Sequence, residues 1–185
     1  FHELIPDLVK QYHPQAAYTP TSPLSNWGTA ENFNHGTMHY WGVWHGREPF
    51  ENFETNVGRF MVEYGFQSYP EMSTLQKVIA DSNLVMNSPM IAHRQKSYIG
   101  NGLISEHINR NFESPESFAD FVELSQKTQA LGMKMAIEAH LADQPHCMGS
   151  LFWQLNDCWP GPSWSVIDYY GKKKEAYATV REAFR

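Results

Sequence analysis

Residues 60–65 of the chain have the sequence FMVEYG, and residues 151–160 have the sequence LFWQLNDCWP. Each stretch begins as a short apolar run, which is typical of a buried β-strand, and continues into polar or acidic side chains. The carboxyl ends of parallel strands form the ligand-binding edge in α/β proteins. The two stretches therefore predict an α/β fold with a functional site at one edge of a parallel sheet.

The rest of the chain follows the same alternation of strand, loop and helix. No internal repeat or low-complexity linker divides it, so residues 1–185 are treated as one unit. Strands are predicted at residues 16–19, 37–43, 59–64 and 148–155, the last apolar enough to be buried on both faces. Helices are predicted at residues 3–12, 73–80, 88–96 and 172–184, with a long one starting at Ser114-Pro115-Glu116.

The number of strands is small for a closed barrel. A closed (β/α)8 barrel needs about 250 residues, whereas this chain has 185. Four parallel strands leave open edges that are costly to expose. We therefore expect half of a (β/α)8 barrel. We also expect the chain to begin inside a larger protein, since it begins with Phe1 rather than Met and shows no signal-peptide pattern. Its compartment stays open: periplasmic, secreted, lysosomal and cytoplasmic locations are all compatible.

Composition argues against several functions. The chain has 20 acidic and 14 basic residues and a net charge of -6, without the basic block that nucleic-acid phosphates require. No apolar run approaches the roughly 20 residues that cross a bilayer. Cys147 and Cys158 are predicted to be free thiols, because an extended strand between them exceeds the roughly 7 Å limit for a disulfide. Aromatic residues make up 14% of the chain, and several lie in polar stretches, which favours a ligand surface.

Glu63 is the acidic residue at the end of the third predicted strand. A buried carboxylate without a partner costs several kcal/mol. It therefore either serves ligand chemistry at the strand end or pairs with an arginine such as Arg59 or Arg47, and the residues alone leave both possibilities open.

Two further clusters follow strand ends. Trp153 and Asn156 lie in the fourth stretch, where aromatic faces and amide groups together suit a sugar; large packing residues are the alternative. His39 and Trp41 share one face of the second strand. No HExxH motif or paired-cysteine motif supports a metal site, and GxGxxG, Walker and GxSxG motifs do not occur.

Residues 60–70, FMVEYGFQSYP, and residues 151–160 with Ser163-Trp164-Ser165 closely resemble two motifs of the β-mannosidase branch of glycoside hydrolase family two. The resemblance covers essentially the whole chain and implies the carboxyl-terminal half of a catalytic TIM barrel, strands five to eight. It implies that Glu63 is the catalytic nucleophile at the end of strand seven. It also implies that Trp27 and Trp153 line the sugar site, with His39 and Trp41 beside them. A nucleophile must stay ionised, so Glu63 needs hydrogen-bond donors nearby, and the candidates are Tyr64, His39 and Trp41.

The implied activity is that of a retaining exo-β-mannosidase that acts on a β-mannoside substrate and needs no cofactor. The family's acid/base glutamate, in an Asn-Glu pair on strand four, has no counterpart here. The isolated chain is therefore expected to be inactive and to self-associate through its open sheet edges. Three alternatives remain: another family-two glycosidase (β-galactosidase or β-glucuronidase), a non-catalytic carbohydrate-binding domain, and a half-barrel without a ligand.

Overall fold

The computed structural model describes residues 1–28 and 32–185 and contains a three-stranded parallel sheet in the order β1-β2-β3. Its strands are β1 (Ser25–Asn26), β2 (Thr37–His39) and β3 (Phe60–Glu63). Parallel strands joined by crossover segments, together with the helices, make this a mixed α/β fold. The polar loop predicted between the first two strands includes residues 29–31, which lie outside the described residues.

Seven α-helices occur in the part of the chain that the structure describes. They are α1 (Leu4–Tyr12), α2 (Asn52–Thr55), α3 (Met72–Leu75), α4 (Pro89–Arg94), α5 (Gly100–Asn111), α6 (Phe118–Ala142) and α7 (Glu175–Ala183). Two short 3-10 helices span Asn32–Asn34 and Asp81–Asn83.

The helix starts show which sequence signals were correct. Ser88 caps α4 with Pro89 in its first turn, as predicted. The long helix α6 begins later than predicted, because Ser117 is the cap that accepts the backbone N–H of Asp120. Ser114 instead donates its hydroxyl to a neighbouring side chain. A serine before a helical pattern therefore marks the region of a helix start but not the capping residue.

Two helices differ more strongly from the sequence pattern. Helix α3 ends at Leu75 although the pattern predicted a helix to residue 80. Helix α5 was not predicted separately, because its two glycines and its polar residues obscure the apolar period. Its buried positions include Leu103, Ile104 and Ile108, which pack into the core.

The predicted strand at residues 16–19 is wrong. The backbone N–H of Ala16 bonds back to the carbonyl of His13 in a turn. Pro20 and Pro23 have no N–H to give to a ladder. Pairing with β2 therefore starts only at Leu24, whose N–H donates to the Thr37 carbonyl at 2.9 Å.

The predicted fourth strand is correct in direction but wrong in burial. Residues 148–153 run parallel to β3. The N–H of Met61 donates to the Gly149 carbonyl at 2.9 Å, and the N–H of Leu151 donates to the Met61 carbonyl at 2.8 Å. The segment contains only an isolated bridge rather than a strand. Within the described chain, this segment has β3 along one side and no layer over its outer side chains. Four of its side chains are therefore exposed: Met148, Leu151, Trp153 and Leu155.

The core lies between the sheet and the helices. Helix α6 packs against α7, α5 and α2, and aromatic residues such as Trp44, Phe53 and Phe66 are fully buried beside it. Cys147 and Cys158 are both free thiols, as predicted. Among the helices of the described residues, none is long and apolar enough to span a membrane.

Candidate active site

Glu63 lies at the carboxyl end of β3, where its carboxylate is contacted by two residues from β2 and the loop after it. The indole Nε1–H of Trp41 donates to Glu63 Oε2 at 3.1 Å. Nδ1 of His39 lies 3.3 Å from the same oxygen, and the two side chains are 20% (His39) and 27% (Glu63) exposed. The predicted grouping of Glu63, His39 and Trp41 is therefore present in the structure.

The register of the sheet explains this meeting. His39 pairs with Glu63 across a register shift that follows Met38, and the N–H of Tyr40 bonds to the Glu63 carbonyl at 2.8 Å. Residues that face each other across paired strands bring their side chains together on one face. The chain then turns after His39, which lets the Trp41 indole reach back to the carboxylate.

The other proposed partners of Glu63 do not contact it. Tyr64, considered as a hydrogen-bond donor to Glu63, lies within 2.7 Å of the Ser150 hydroxyl instead, since neighbouring residues of a strand point to opposite faces. Arg47 pairs with Glu106, and within the described chain no arginine forms an ion pair with Glu63. The simple ion-pair reading of Glu63 is therefore wrong.

His39 is held from its other side as well. Its Nε2 lies 3.4 Å from the Ser22 hydroxyl, which also donates to the Thr37 hydroxyl at 3.1 Å. The imidazole thus stands between Ser22 and Glu63. Contacts on both ring nitrogens fix the orientation of the ring that Glu63 meets.

Trp41 belongs to an aromatic cluster that the sequence reasoning only partly identified. Its ring lies edge-on to Trp164 at 6.0 Å and to His45 at 5.8 Å. Trp164 in turn packs against Trp44 at 5.4 Å. Trp164 and His45 were not among the predicted site residues. Trp164 lies in the second quoted motif, but the sequence does not show that either ring packs against Trp41.

Trp153 approaches the site through its backbone. Its N–H donates to the Tyr64 carbonyl at 2.9 Å, and the peptide bond between Trp153 and Gln154 is cis. A Cβ at Gly65 would lie only 2.2 Å from the Trp153 carbonyl oxygen, so this close approach requires glycine. Trp153 is therefore fixed beside the residues that follow Glu63, with its side chain exposed.

Trp27 and Asn156 each follow a segment of the parallel sheet. Trp27 follows β1, whose residue Asn26 pairs with His39, and its ring packs partly buried against the core. Asn156 is exposed and bridges to Ile167. Within the described residues, neither side chain forms a hydrogen bond with Glu63.

The loops around the site are tied together by a buried lysine. Nζ of Lys174 donates to the carbonyls of Ser68 and Ser163 at 3.2 and 3.3 Å, which joins the chain after β3 to the chain after Trp153. Burial lowers the pKa of Lys174 to about 7, although Asp157 and Asp168 act in the opposite direction. Lys174 therefore has a structural position behind the site.

Asp157, in the second quoted motif, also has a structural environment. It accepts hydrogen bonds from the hydroxyls of Ser163 and Ser165 and from the N–H groups of Cys158 and Trp159. These donors use both of its oxygens. Within residues 1–28 and 32–185, no three His, Cys, Asp or Glu side chains come close enough together to hold a metal ion.

Sequence and structure comparisons find proteins that are similar to this chain. No protein-family model matches it. It is 32% identical to β-mannosidase B of Aspergillus clavatus over 97% of its length and 30% identical to β-mannosidase B of Aspergillus flavus over 100%. The crystal structure of a β-D-mannosidase from Dictyoglomus thermophilum superimposes on 98% of the chain with a TM-score of 0.92 and 34% identity.

The chain is homologous to β-mannosidases over its whole length. It spans 22% of the length of each of these β-mannosidases, from Aspergillus and from Dictyoglomus. The crystal structure of an exo-chitosanase from Amycolatopsis orientalis superimposes with a TM-score of 0.60 and 21% identity. The match covers 74% of this chain and 18% of the exo-chitosanase chain, which shows a shared fold. The resemblance found in the two sequence motifs is therefore confirmed.

Proposed function

We propose that the chain is part of the catalytic domain of a retaining exo-β-mannosidase of glycoside hydrolase family two, and that Glu63 is its nucleophile. The observation that carries the proposal is the Glu63 carboxylate at the end of β3, held by Trp41 at 3.1 Å and by His39 at 3.3 Å. Homology to β-mannosidases supports the choice of sugar. The enzyme would release β-D-mannose from non-reducing ends.

In retaining hydrolysis one carboxylate attacks the anomeric carbon while a second carboxylic acid, about 5 Å away, protonates the leaving oxygen. Trp41 and His39 both contact Oε2 of Glu63, so we assign the attack to Oε1. The bond from carbon to Oε1 forms as the glycosidic bond breaks. Water, deprotonated by the second group, then hydrolyses the mannosyl-enzyme and regenerates Glu63.

The substrate would lie against the residues that surround this carboxylate. We assign the aromatic faces of Trp27 and Trp153 to the C–H side of the mannose ring and the amide of Asn156 to one of its hydroxyls. This scheme uses two carboxyl groups and water, and it requires no cofactor. A glucuronidase would need a cation for its substrate carboxylate, whereas the groups in contact with Glu63 are an indole and an imidazole.

We further propose that residues 1–185 are the carboxyl-terminal half of a (β/α)8 TIM barrel. Its strands five to eight would be β1, β2, β3 and the segment at residues 148–155. The parallel pairing of these four in chain order supports the assignment. The acid/base glutamate would then come from strand four, outside residues 1–185.

The isolated chain is accordingly expected to be inactive, because loss of a general acid costs about 100- to 10,000-fold in rate. The exposed side chains of Met148, Leu151 and Leu155 along its open edge favour self-association. Light scattering of the purified 185-residue chain should therefore show dimers or larger species. A stable monomer would contradict the half-barrel, and hydrolysis at the rate of the complete enzyme would contradict the missing acid.

The role of Glu63 can be tested in the complete enzyme, meaning the longer protein that carries this chain together with the rest of the proposed barrel. A 2-deoxy-2-fluoro-β-mannosyl fluoride should label the peptide that contains Glu63. Glu63→Gln should abolish both labelling and hydrolysis. The matched control is Glu71→Gln, since Glu71 lies before α3 and accepts a hydrogen bond from Gln126; it should retain both.

Labelling of Glu71 or Asp157 in place of Glu63 would overturn the assignment. The substrate is tested with aryl β-mannoside, β-galactoside and β-glucuronide in parallel. A higher kcat/KM for galactoside or glucuronide would indicate another family-two glycosidase. Binding of mannosides without turnover would indicate a carbohydrate-binding domain.

A further inference from the structure

Beyond Trp41, the aromatic cluster continues to the surface through His45 and Tyr98. The rings of Trp41 and His45 are 5.8 Å apart, and the rings of His45 and Tyr98 are also 5.8 Å apart. The last two rings are nearly parallel, with an angle of 8° between their planes. Two ring contacts therefore connect the indole that holds Glu63 to an exposed tyrosine.

The Tyr98 ring is held in place although it is 79% exposed. Its hydroxyl lies 3.0 Å from Nδ1 of His45, and burial lowers the pKa of that imidazole, which favours the neutral ring. The N–H of His45 bonds to the Trp41 carbonyl at 2.7 Å. The loop that carries Tyr98 is fixed by the N–H of Ser97, which donates to the Gln95 side chain at 2.9 Å.

Another exposed tyrosine provides the contrast. Tyr12 is 76% exposed at the end of α1, a helix without any buried residue, and it has no aromatic neighbour in the described chain. Single exposed aromatic residues of this kind are common on protein surfaces. Tyr98 differs because it is hydrogen-bonded, stacked and connected to the candidate active site.

An immobile, flat aromatic face is suited to bind a sugar. Aromatic rings cover the apolar C–H face of a pyranose, and a side chain that is already fixed loses little conformational entropy when a ligand arrives. In an exo-acting enzyme the attacked sugar lies at the carboxylate, and the leaving part of the substrate extends outward toward the surface. Ring contacts through Trp41 connect the exposed Tyr98 to Glu63, so we assign the pair to the leaving part of the substrate.

We propose that Tyr98 and His45 form a leaving-group subsite, which binds the pyranose ring on the far side of the scissile bond. The inference rests on the proposed function and deepens it, because it makes a β-linked manno-oligosaccharide, rather than a mannoside with a small leaving group, the preferred substrate. Tyr98 contributes the aromatic face and His45 holds it in position.

The test compares two substrates of the complete enzyme: β-1,4-mannobiose, which has a sugar leaving group, and methyl β-mannoside, which does not. Tyr98→Ala should lower kcat/KM for mannobiose by about tenfold, as expected for loss of an aromatic stacking contact, and leave methyl β-mannoside within about twofold. Tyr98→Phe keeps the face and should lose less for mannobiose than Tyr98→Ala. Tyr12→Ala is the matched control and should change neither substrate.

Each other outcome would overturn the subsite. An equal loss on both substrates would mean that Tyr98 acts through His45 and Trp41 on Glu63. No loss on either would mean that the ring does not meet the leaving group. A wild-type enzyme without activity on any mannoside would refute the proposed function itself. This outcome is measured before any Tyr98 variant is made, so it is distinguished from a failure of the subsite alone.

Discussion

Two regions of the chain hold ionisable side chains in opposite ways. At the end of β3, Glu63 is partly exposed and contacted by Trp41 and His39. Among the helices, His107 is buried without a partner for either ring nitrogen in the described chain, and His140 has none for Nε2. His140 Nδ1 lies 2.8 Å from the Ser150 hydroxyl. The difference teaches that a partly exposed carboxylate with polar partners at a strand end is a candidate for chemistry, whereas burial keeps the two histidines neutral as packing groups.

The surroundings of His107 explain its neutrality. Its ring lies 4.5 Å from Phe50 and 4.7 Å from Phe66. Its pKa is lowered to about 4, mainly by burial and also by Arg110 and Arg47, while Glu106 acts in the opposite direction. Burial likewise lowers the pKa of His140 to about 4.

The largest effect expected from this comparison is a loss of stability in acid. The folded pKa values of His107 and His140 are about 4, below the ordinary value near 6.5. The unfolded chain therefore binds more protons between pH 6.5 and 4, and stability falls as the pH falls through that window. Each histidine contributes about 3 kcal/mol of this loss. Urea unfolding of the complete enzyme at pH 7 and pH 4.5 measures it.

His107→Leu should reduce the loss of stability between pH 7 and pH 4.5 by about 3 kcal/mol, the contribution of one histidine, because leucine does not titrate and suits the apolar site. His13→Leu is the control, since His13 is exposed, and it should leave the pH dependence unchanged. An unaltered slope in His107→Leu would show that other groups cause the acid sensitivity. The interpretation of His107 as a neutral packing group would then be wrong.

A smaller effect, confined to activity, is expected at Trp41. Trp41→Phe removes the 3.1 Å hydrogen bond to Glu63 and keeps an aromatic ring beside His45. A hydrogen bond to a charged group contributes about 1.5–3 kcal/mol, so kcat for mannosides should fall by about 10- to 100-fold. Unfolding by urea should hardly change. A loss of stability in proportion to activity would mean that Trp41 is a core residue and not part of the site.

The contacts of Glu63 with His39 and Trp41 were more predictable than the fold around them. Glu63, His39 and Trp41 could be grouped because strand ends in a parallel sheet meet at one edge, and the register of β2 and β3 brings them together. Their hydrogen-bond geometry could not be predicted, since it depends on the register shift after Met38. The prediction of Tyr64 as a donor to Glu63 was wrong, because the residue that follows Glu63 in the strand points to the opposite face, where its hydroxyl meets Ser150.

Burial was the least predictable property. The apolar run at residues 148–155 suggested a strand buried on both faces, but burial depends on neighbouring layers and not on the run itself. Helix α5 shows the converse, because its buried positions are separated by glycines and polar residues. His45 and Tyr98 lie 53 positions apart, and no local pattern indicates that such residues meet.

The smallest expected effect is at Ser22, whose hydroxyl lies 3.4 Å from His39 Nε2 in an exposed position. Ser22→Ala should lower kcat by only about two- to fivefold, because an exposed neutral hydrogen bond contributes about 0.5–1 kcal/mol. Ser114→Ala, which removes another exposed serine hydroxyl contact, should have no effect on kcat.

The double variant of Ser22→Ala with Trp41→Phe sharpens the test. Both contacts reach Glu63 Oε2, one directly and one through His39, so their effects on kcat should be non-additive. Strict additivity would show that Ser22 orients His39 for some purpose other than holding Glu63. A loss at Ser22 as large as that at Trp41 would show that His39, and not the indole, is the main support of the carboxylate.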